Sequence, residues 1–431
     1  MRRILMLLLA WAVLGGTAWA QTLPPLTLAE LEAMALRLNP TLAQAEAQVE
    51  AARGRALQAG LWPNPTMGYT AEEVSRSPTI RGGEHGIFIE QVIPLGGKLR
   101  LRREMFEREA DEAIALGEGQ RLRVLNAVRA LFYEALVAQR RVEIREHLAA
   151  VTAEAVGVSR QLLNVGAADR PDLLEVSVEA QQASVRLLEA RNRHRQVWRR
   201  LAQAVGDPAL EPRPLAGELD PAIPDLDDES VLASLLADSP ELGAARAAVA
   251  RAEATLARAR KEPVPDLVLR GGPRYNRELL DPGPRPVGWE LTADVGLTVP
   301  LFDRNQGGIR AAEAELTRAH AGVRRVELAL RARFADVFER YATALSATRA
   351  YRDDIVPLAE EAHELFLARY QEMAAAYPQV LIAERTRLQV TEQYLDALAD
   401  GLQAAVLLQG FLLGGGLDAP ARPGEPSAVE R

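Results

Sequence analysis

The chain has 431 residues, no cysteine and a formal net charge of −8, with lysine only at positions 98 and 261. The missing thiols exclude a disulfide scaffold and leave packing or oligomerisation to hold the fold. An acidic balance, charges mixed along the chain and an aromatic content of 5% argue against nucleic-acid binding.

At the N-terminus, Arg2 and Arg3 precede an apolar run and the small-residue site Ala18-Trp19-Ala20. That is the layout of a secretory signal peptide over 1–20, so the mature chain is expected to act outside the cytoplasm. Without Arg2 and Arg3 its net charge becomes −10, and no cysteine follows to carry a lipid anchor. No later stretch offers the roughly 18 consecutive apolar residues of a spanning helix. Entry into a membrane would therefore require β-strands.

The first unit, 21–206, opens with an Ala-rich amphipathic helix that starts at the capping box Thr27-x-x-Glu30. It stops at Pro63-Asn64-Pro65, where two fixed φ angles and missing donors end the ladder. Two strands follow at about 66–74 and 86–95. From Leu95 to Arg170 there is no proline, which predicts a helix over 98–163 spanning about 100 Å. The stretch "NVGAADRPD" turns it: Gly166 suits the left-handed position after a helix, and Asp169 with Asp172 suits a capping pair. A return helix runs over 170–205.

The segment 39–65 then recurs without a gap at 239–265, with Pro40, Pro63 and Pro65 matching Pro240, Pro263 and Pro265. Pro94-Leu95 likewise answers Pro300-Leu301. The chain reads as a duplication. A Pro-rich linker over 207–227 joins the units, the second covers 228–417, and 418–431 reads as a disordered tail. In the second unit the strands are expected at 266–273 and 288–299, and Pro357 is expected to interrupt the long helix. The fold class is thus mainly α with a small β part. The helices, Ala-rich with Leu and Val at three- and four-residue spacing, read as coiled-coil hairpins.

"WELTADVGLTV" (289–299) alternates strictly, with Trp289, Leu291, Val295 and Leu297 on one face and Glu290, Thr292 and Asp294 on the other. Its length suits the roughly 9–11 residues of a tilted strand crossing an outer membrane, although a soluble sheet edge would share the pattern. Four strands per chain cannot close a barrel, because the smallest need about eight. An open sheet in lipid would leave backbone groups unpaired. Several chains must pool their hairpins, and three give an even number.

"IPLGGKLR" (93–100), "NVGAADRPDLLEV" (164–176) and "PLFDRNQGGI" (300–309) resemble the outer membrane efflux (TolC) family, most of all its heavy-metal members of the cobalt–zinc–cadmium and copper type. The resemblance implies a homotrimer in outer-membrane lipid, with a twelve-stranded barrel continued by a periplasmic α-helical barrel. Its implied partners are a periplasmic adaptor protein and an inner-membrane pump of the RND class. The cargo class stays open between heavy-metal cations, drugs and secreted protein. A periplasmic coiled-coil protein that never inserts is the reading from another class, and it fits two helix–hairpin–helix–helix units poorly.

No nucleophile–base pair, phosphate loop or cofactor motif stands out, and His85, His147, His194, His320 and His363 are scattered. No enzymatic activity, cofactor or metal site is expected. Glu90, Glu290, Thr292 and Asp294 are expected to face water in the lumen, either tuning it for cations or simply keeping it wet. The resemblance implies that the helical turns meet the adaptor and that acids beyond the turn narrow the aperture. Gly166, Asp169, Asp172 and Glu175 hold those places in the first unit, where Asp172 can also cap. In the second, Met373 and Pro378 lie near the turn, with Gln379 and Ile382 in place of the acids.

Overall fold

The computed structural model describes residues 24–73, 83–166, 169–219, 223–280, 285–372 and 377–424. The signal peptide, Met373 and the last seven residues of the tail lie outside them. In chain order the first half comprises β1 (Leu26–Thr27), α1 (Leu28–Leu38), α2 (Pro40–Ala59), β2 (Thr66–Glu72), β3 (Glu84–Ile93), α3 (Lys98–Asn164) and α4 (Arg170–Val205). The second comprises β4 (Leu215–Ala216), α5 (Asp228–Asp238), α6 (Pro240–Lys261), β5 (Leu267–Leu280), β6 (Arg285–Leu297), α7 (Gln306–Ala350), a π-helical turn (Tyr351–Ile355), α8 (Val356–Gln371) and α9 (Tyr377–Gln409).

Three expectations need correction. The opening helix of each half is two helices, divided before Pro40 and before Pro240. Proline supplies no N–H to the carbonyl four residues back but fits the first helical position, so each proline starts a new helix. Asn39 caps α2, its Oδ1 accepting the Thr41 N–H at 3.0 Å. The second correction concerns the loop after 273: β5 continues to Leu280 and β6 begins at Arg285, past a register shift between Asn276 and Leu279. The third concerns the tail. Residues 418–424 are held by α3, since Gln120 Nε2 donates to the Asp418 carbonyl at 3.2 Å and the Gly424 N–H donates to Glu112 at 3.1 Å. A Pro- and Gly-rich composition reads as disorder only until buried polar partners give its backbone hydrogen bonds somewhere to go.

The chain divides into two compact units. One holds the described residues of 35–130, 223–349 and 400–424, and contains the four-stranded sheet. Its strands run in the order β2-β3-β5-β6, all antiparallel, so β2 and β6 are edges. Leu235, Leu242, Leu330, Phe334 and Tyr341 form its helical core with Leu408 of α9. Tyr341 satisfies its buried hydroxyl by donating to the Pro224 carbonyl and accepting the Leu226 N–H. Buried Asn126 fixes the chain beyond α9, donating to the carbonyls of Gly410 and Leu413 at 2.8 Å each.

Two short motifs build the corners where strands become helices. In "PLGGK", Gly96 and Gly97 have φ of 68° and 74°, and Lys98 pairs with Asp266 at 2.9 Å. In "PLFDRNQGG", Asp303 accepts the Asn305 N–H at 2.9 Å and Asn305 donates to the Ala259 carbonyl at 2.9 Å.

The other unit holds the described residues of 24–34, 131–219 and 350–399. Here the second half of α3 lies beside α4, and Arg193 and Arg200 of α4 both reach Glu134 of α3. The N-terminal β1 pairs in parallel with β4, and Trp198 is buried with its indole N–H on the Leu210 carbonyl at 2.9 Å.

Candidate functional site

Residues opposite each other in an antiparallel pair share a face of the sheet. By that rule Glu90, Arg270 and Asp294 form one row across β3, β5 and β6, and Arg274 and Glu290 fall in another. Glu90, Glu290, Thr292 and Asp294 therefore lie together on one polar face. The opposite face carries Met67, Ile87, Trp289, Leu291 and Val295, all exposed, with Leu291 at 82% and Val295 at 72%. An apolar face this open, on a sheet with two free edges, has the form of a surface made for lipid.

The polar face is held by Arg274, which the sequence reading did not single out. Its guanidinium pairs with Glu290 of β6 at 3.0 Å, with Glu84 of β3, and with Glu72 of β2 at 3.7 Å. One arginine thus ties carboxylates from the three other strands. Glu84 also accepts from Asn276 at 2.7 Å. Arg270 behaves differently, lying over the Phe88 ring with its central carbon 3.8 Å from the centroid. The signal was present: Arg270, Arg274 and Asn276 share one parity in β5.

At the tip of the first hairpin, Gly166 has φ of 76°, in the left-handed region. Asp172 closes a capping box on α4, its Oδ2 accepting the Asp169 N–H at 3.1 Å. Asp172 and Glu175 are both exposed and one turn apart on α4. Pro378, exposed near the start of α9, is described, whereas Met373 is not.

Scattered in sequence, two of the histidines nevertheless converge. Glu384, only 4% exposed on α9, meets His147 of α3 at 3.0 Å and His363 of α8 at 3.3 Å. Arg387 donates to both of its oxygens, at 2.7 and 2.8 Å. Burial alone would raise the Glu384 carboxyl, but Arg387 with His363 and His147 outweighs it and holds the group below its ordinary range. Two turns on, Glu392 goes the other way. Burial lifts its carboxyl above the usual value, and Arg145 and Arg141 only partly compensate. Among the described residues no group of His, Asp or Glu is arranged to hold a metal ion, and no helix is long and apolar enough to cross a membrane.

The sequence matches the outer membrane efflux protein family over residues 31–207 and 231–415. It is 26% identical over 404 residues to the cobalt-zinc-cadmium resistance protein CzcC of Cupriavidus metallidurans, covering 92% of this chain and 93% of that protein. It is also 26% identical over 335 residues to the nickel-cobalt-cadmium resistance protein NccC of Alcaligenes xylosoxydans xylosoxydans, covering 73% of this chain and 69% of that protein. The fold is similar to that of the outer membrane protein VceC from Vibrio cholerae, with a TM-score of 0.69 at 21% identity, covering 90% of this chain and 96% of VceC.

Proposed function

This chain belongs to the outer membrane efflux protein family, and we propose that it is the passive exit duct of a tripartite system that exports heavy-metal cations. Three copies pool their sheets into a twelve-stranded barrel, and their helices extend the duct into the periplasm. There an adaptor protein connects it to an inner-membrane pump of the RND class. The relatives named for cobalt, zinc, cadmium and nickel resistance support that cargo.

The observation that carries this reading is the four-stranded sheet with an exposed apolar face, a polar face and two unpaired edges, β2 and β6. Unpaired edges in lipid cost several kcal/mol per group, and edge-to-edge pairing of three copies removes them all. The polar face, with Glu90, Glu290, Thr292 and Asp294, then lines the lumen. The turn at Gly166, with Asp169, Asp172 and Glu175, and the turn near Met373 and Pro378 form the mouth and the adaptor contact.

One pair of variants tests the arrangement. Val295→Arg puts a charge at mid-strand on the lipid face and should cost about 2–4 kcal/mol, with loss of outer-membrane trimer and of cadmium, zinc and cobalt resistance. Asp294→Arg, its neighbour on the wet face, should assemble normally. Equal tolerance of the two, or a stable monomer in the absence of detergent, would overturn the reading.

A further inference from the structure

We propose that Arg270 sets the ion preference of the lumen and keeps cations from lingering where the helices feed into the barrel; this rests on the reading that the polar face of the sheet lines the lumen. The position follows from chain order. Arg270 is the fourth residue of β5, and its row partner Glu90 stands three residues before the end of β3, which leads into α3. The row of Glu90, Arg270 and Asp294 therefore lies toward the helical end of the sheet, and exported cargo meets it before the row of Arg274.

The two arginines of this face are used in opposite ways. Arg274 is bound to three carboxylates, and its charge is consumed in holding strands together. Arg270 makes no ion pair among the described residues, although Glu90 and Asp294 are its neighbours on either side. Phe88 holds it instead. Glycine makes room for that ring: a Cβ on Gly68 would come within 2.5 Å of it, so the ring fills the space over Gly68. Across the ladder, a Cβ on Gly272 would fall 1.9 Å from the Ile87 carbonyl oxygen, so only glycine permits the strands to approach there. The guanidinium rests on the π-face of Phe88, an attraction that keeps its charge without quenching it against a carboxylate.

The consequence is electrostatic. Without Arg270 the only charges each chain would present in this row are Glu90 and Asp294, and three chains would close a ring of carboxylates around the wet passage. Such a ring concentrates cations and holds divalent ones longest, whereas conduction requires a site weak enough to leave. An unquenched guanidinium between the two acids lowers that affinity while leaving the row mildly favourable to cations.

The test uses the full-length protein in planar bilayers, with potassium chloride gradients for selectivity and cadmium as the blocking ion. Arg270→Gln should shift the reversal potential toward that of potassium, raise cation-over-anion permeability about twofold or more, and deepen cadmium block. Arg270→Lys, which keeps the charge, should stay close to the parent, and Arg270→Gln/Glu90→Gln/Asp294→Asn should lose the added block. Unchanged selectivity and block in Arg270→Gln would overturn the proposal, as would Arg270→Lys behaving like Arg270→Gln. Because the chain has no cysteine, Arg270→Cys gives a single thiol for a membrane-impermeant reagent. Modification of that thiol in the membrane-embedded protein, with unchanged selectivity in Arg270→Gln, removes the proposal alone. A thiol that stays inert at 270 while Leu291→Cys reacts removes the lumen reading itself.

Discussion

The long helix of the first half and its counterpart in the second are built on the same plan and differ at one joint. α3 runs unbroken through 67 residues. In the second half α7 ends at Ala350, a five-residue π-helical turn follows, and α8 begins with Pro357 in its first turn. Proline offers no N–H to the Asp353 carbonyl and its ring crowds that turn. Widening the helix by one residue per turn relieves the crowding. One residue therefore separates a continuous rod from a jointed one. The jointed side also carries a buried polar tie: Glu384 links α9 to α3 through His147 and to α8 through His363.

The largest effect is expected from cutting that tie. Glu384→Ala leaves Arg387 partly buried beside an empty carboxylate position and should destabilise the protein by about 3 kcal/mol, read as a fall in the thermal midpoint. The pH dependence has a definite sign. The Glu384 carboxyl is held below its ordinary 4.5, so its contribution is fully present above that value and is lost as pH falls through the lower, folded value. Glu392 is raised instead, so its ionisation costs the folded protein stability as pH rises through the window between its ordinary and its folded value. Glu392→Gln, which keeps an acceptor for Arg145, should at neutral pH cost less than Glu384→Ala. A midpoint that drops as far in Glu392→Gln as in Glu384→Ala would refute the contrast.

A smaller effect should come from the joint itself. Pro357→Ala restores an N–H and allows α7 and α8 to merge, stabilising the helix by about 1 kcal/mol. Hydrogen exchange over 351–357 should slow, and a stiffer second hairpin should reduce resistance. Faster exchange would mean that the π-turn has a cause other than proline. The corresponding test on the first hairpin is Gly166→Val. A β-branched residue at φ of 76° is strained by about 1–2 kcal/mol. Adaptor docking and metal resistance should weaken with the amount of membrane protein unchanged.

How much of this was legible depends on the range of the interaction responsible. The 67 residues of α3 follow from a stretch without proline, the strand at 289–297 from local alternation, and the capping boxes at Thr27–Glu30 and Asp169–Asp172 from residue type at a fixed spacing. What escaped were contacts between residues far apart in sequence. Arg274 reaches Glu72 and Glu84 across about two hundred positions, and no period in β5 names those partners. His147 and His363 are separated by more than two hundred residues yet meet one carboxylate. The packed stretch 418–424 looked disordered because its order is supplied by Gln120 and Glu112. The breaks at Pro40 and Pro240 were within reach, since a proline inside a helical pattern already argues for a new start.

The smallest effect on stability, and the finest test of the two halves, lies at the proposed mouth. Asp172 and Glu175 are exposed, one turn apart, and the second half has Gln379 and Ile382 in their place. Three copies of the two acids at a closed tip would repel one another and gather cations between them. Asp172 has a second task, since its carboxylate accepts the Asp169 N–H at 3.1 Å. An asparagine carbonyl can accept the same bond, so Asp172→Asn/Glu175→Gln should lose less than about 0.5 kcal/mol. Trimer content and thermal midpoint should stay near the parent, while block of single-channel current by divalent cations weakens. Unchanged block would remove the acids of the first hairpin from the gate and direct attention to the second turn, at Pro378. A large loss of trimer would instead show that the capping bond of Asp172 outweighs any role it has toward ions.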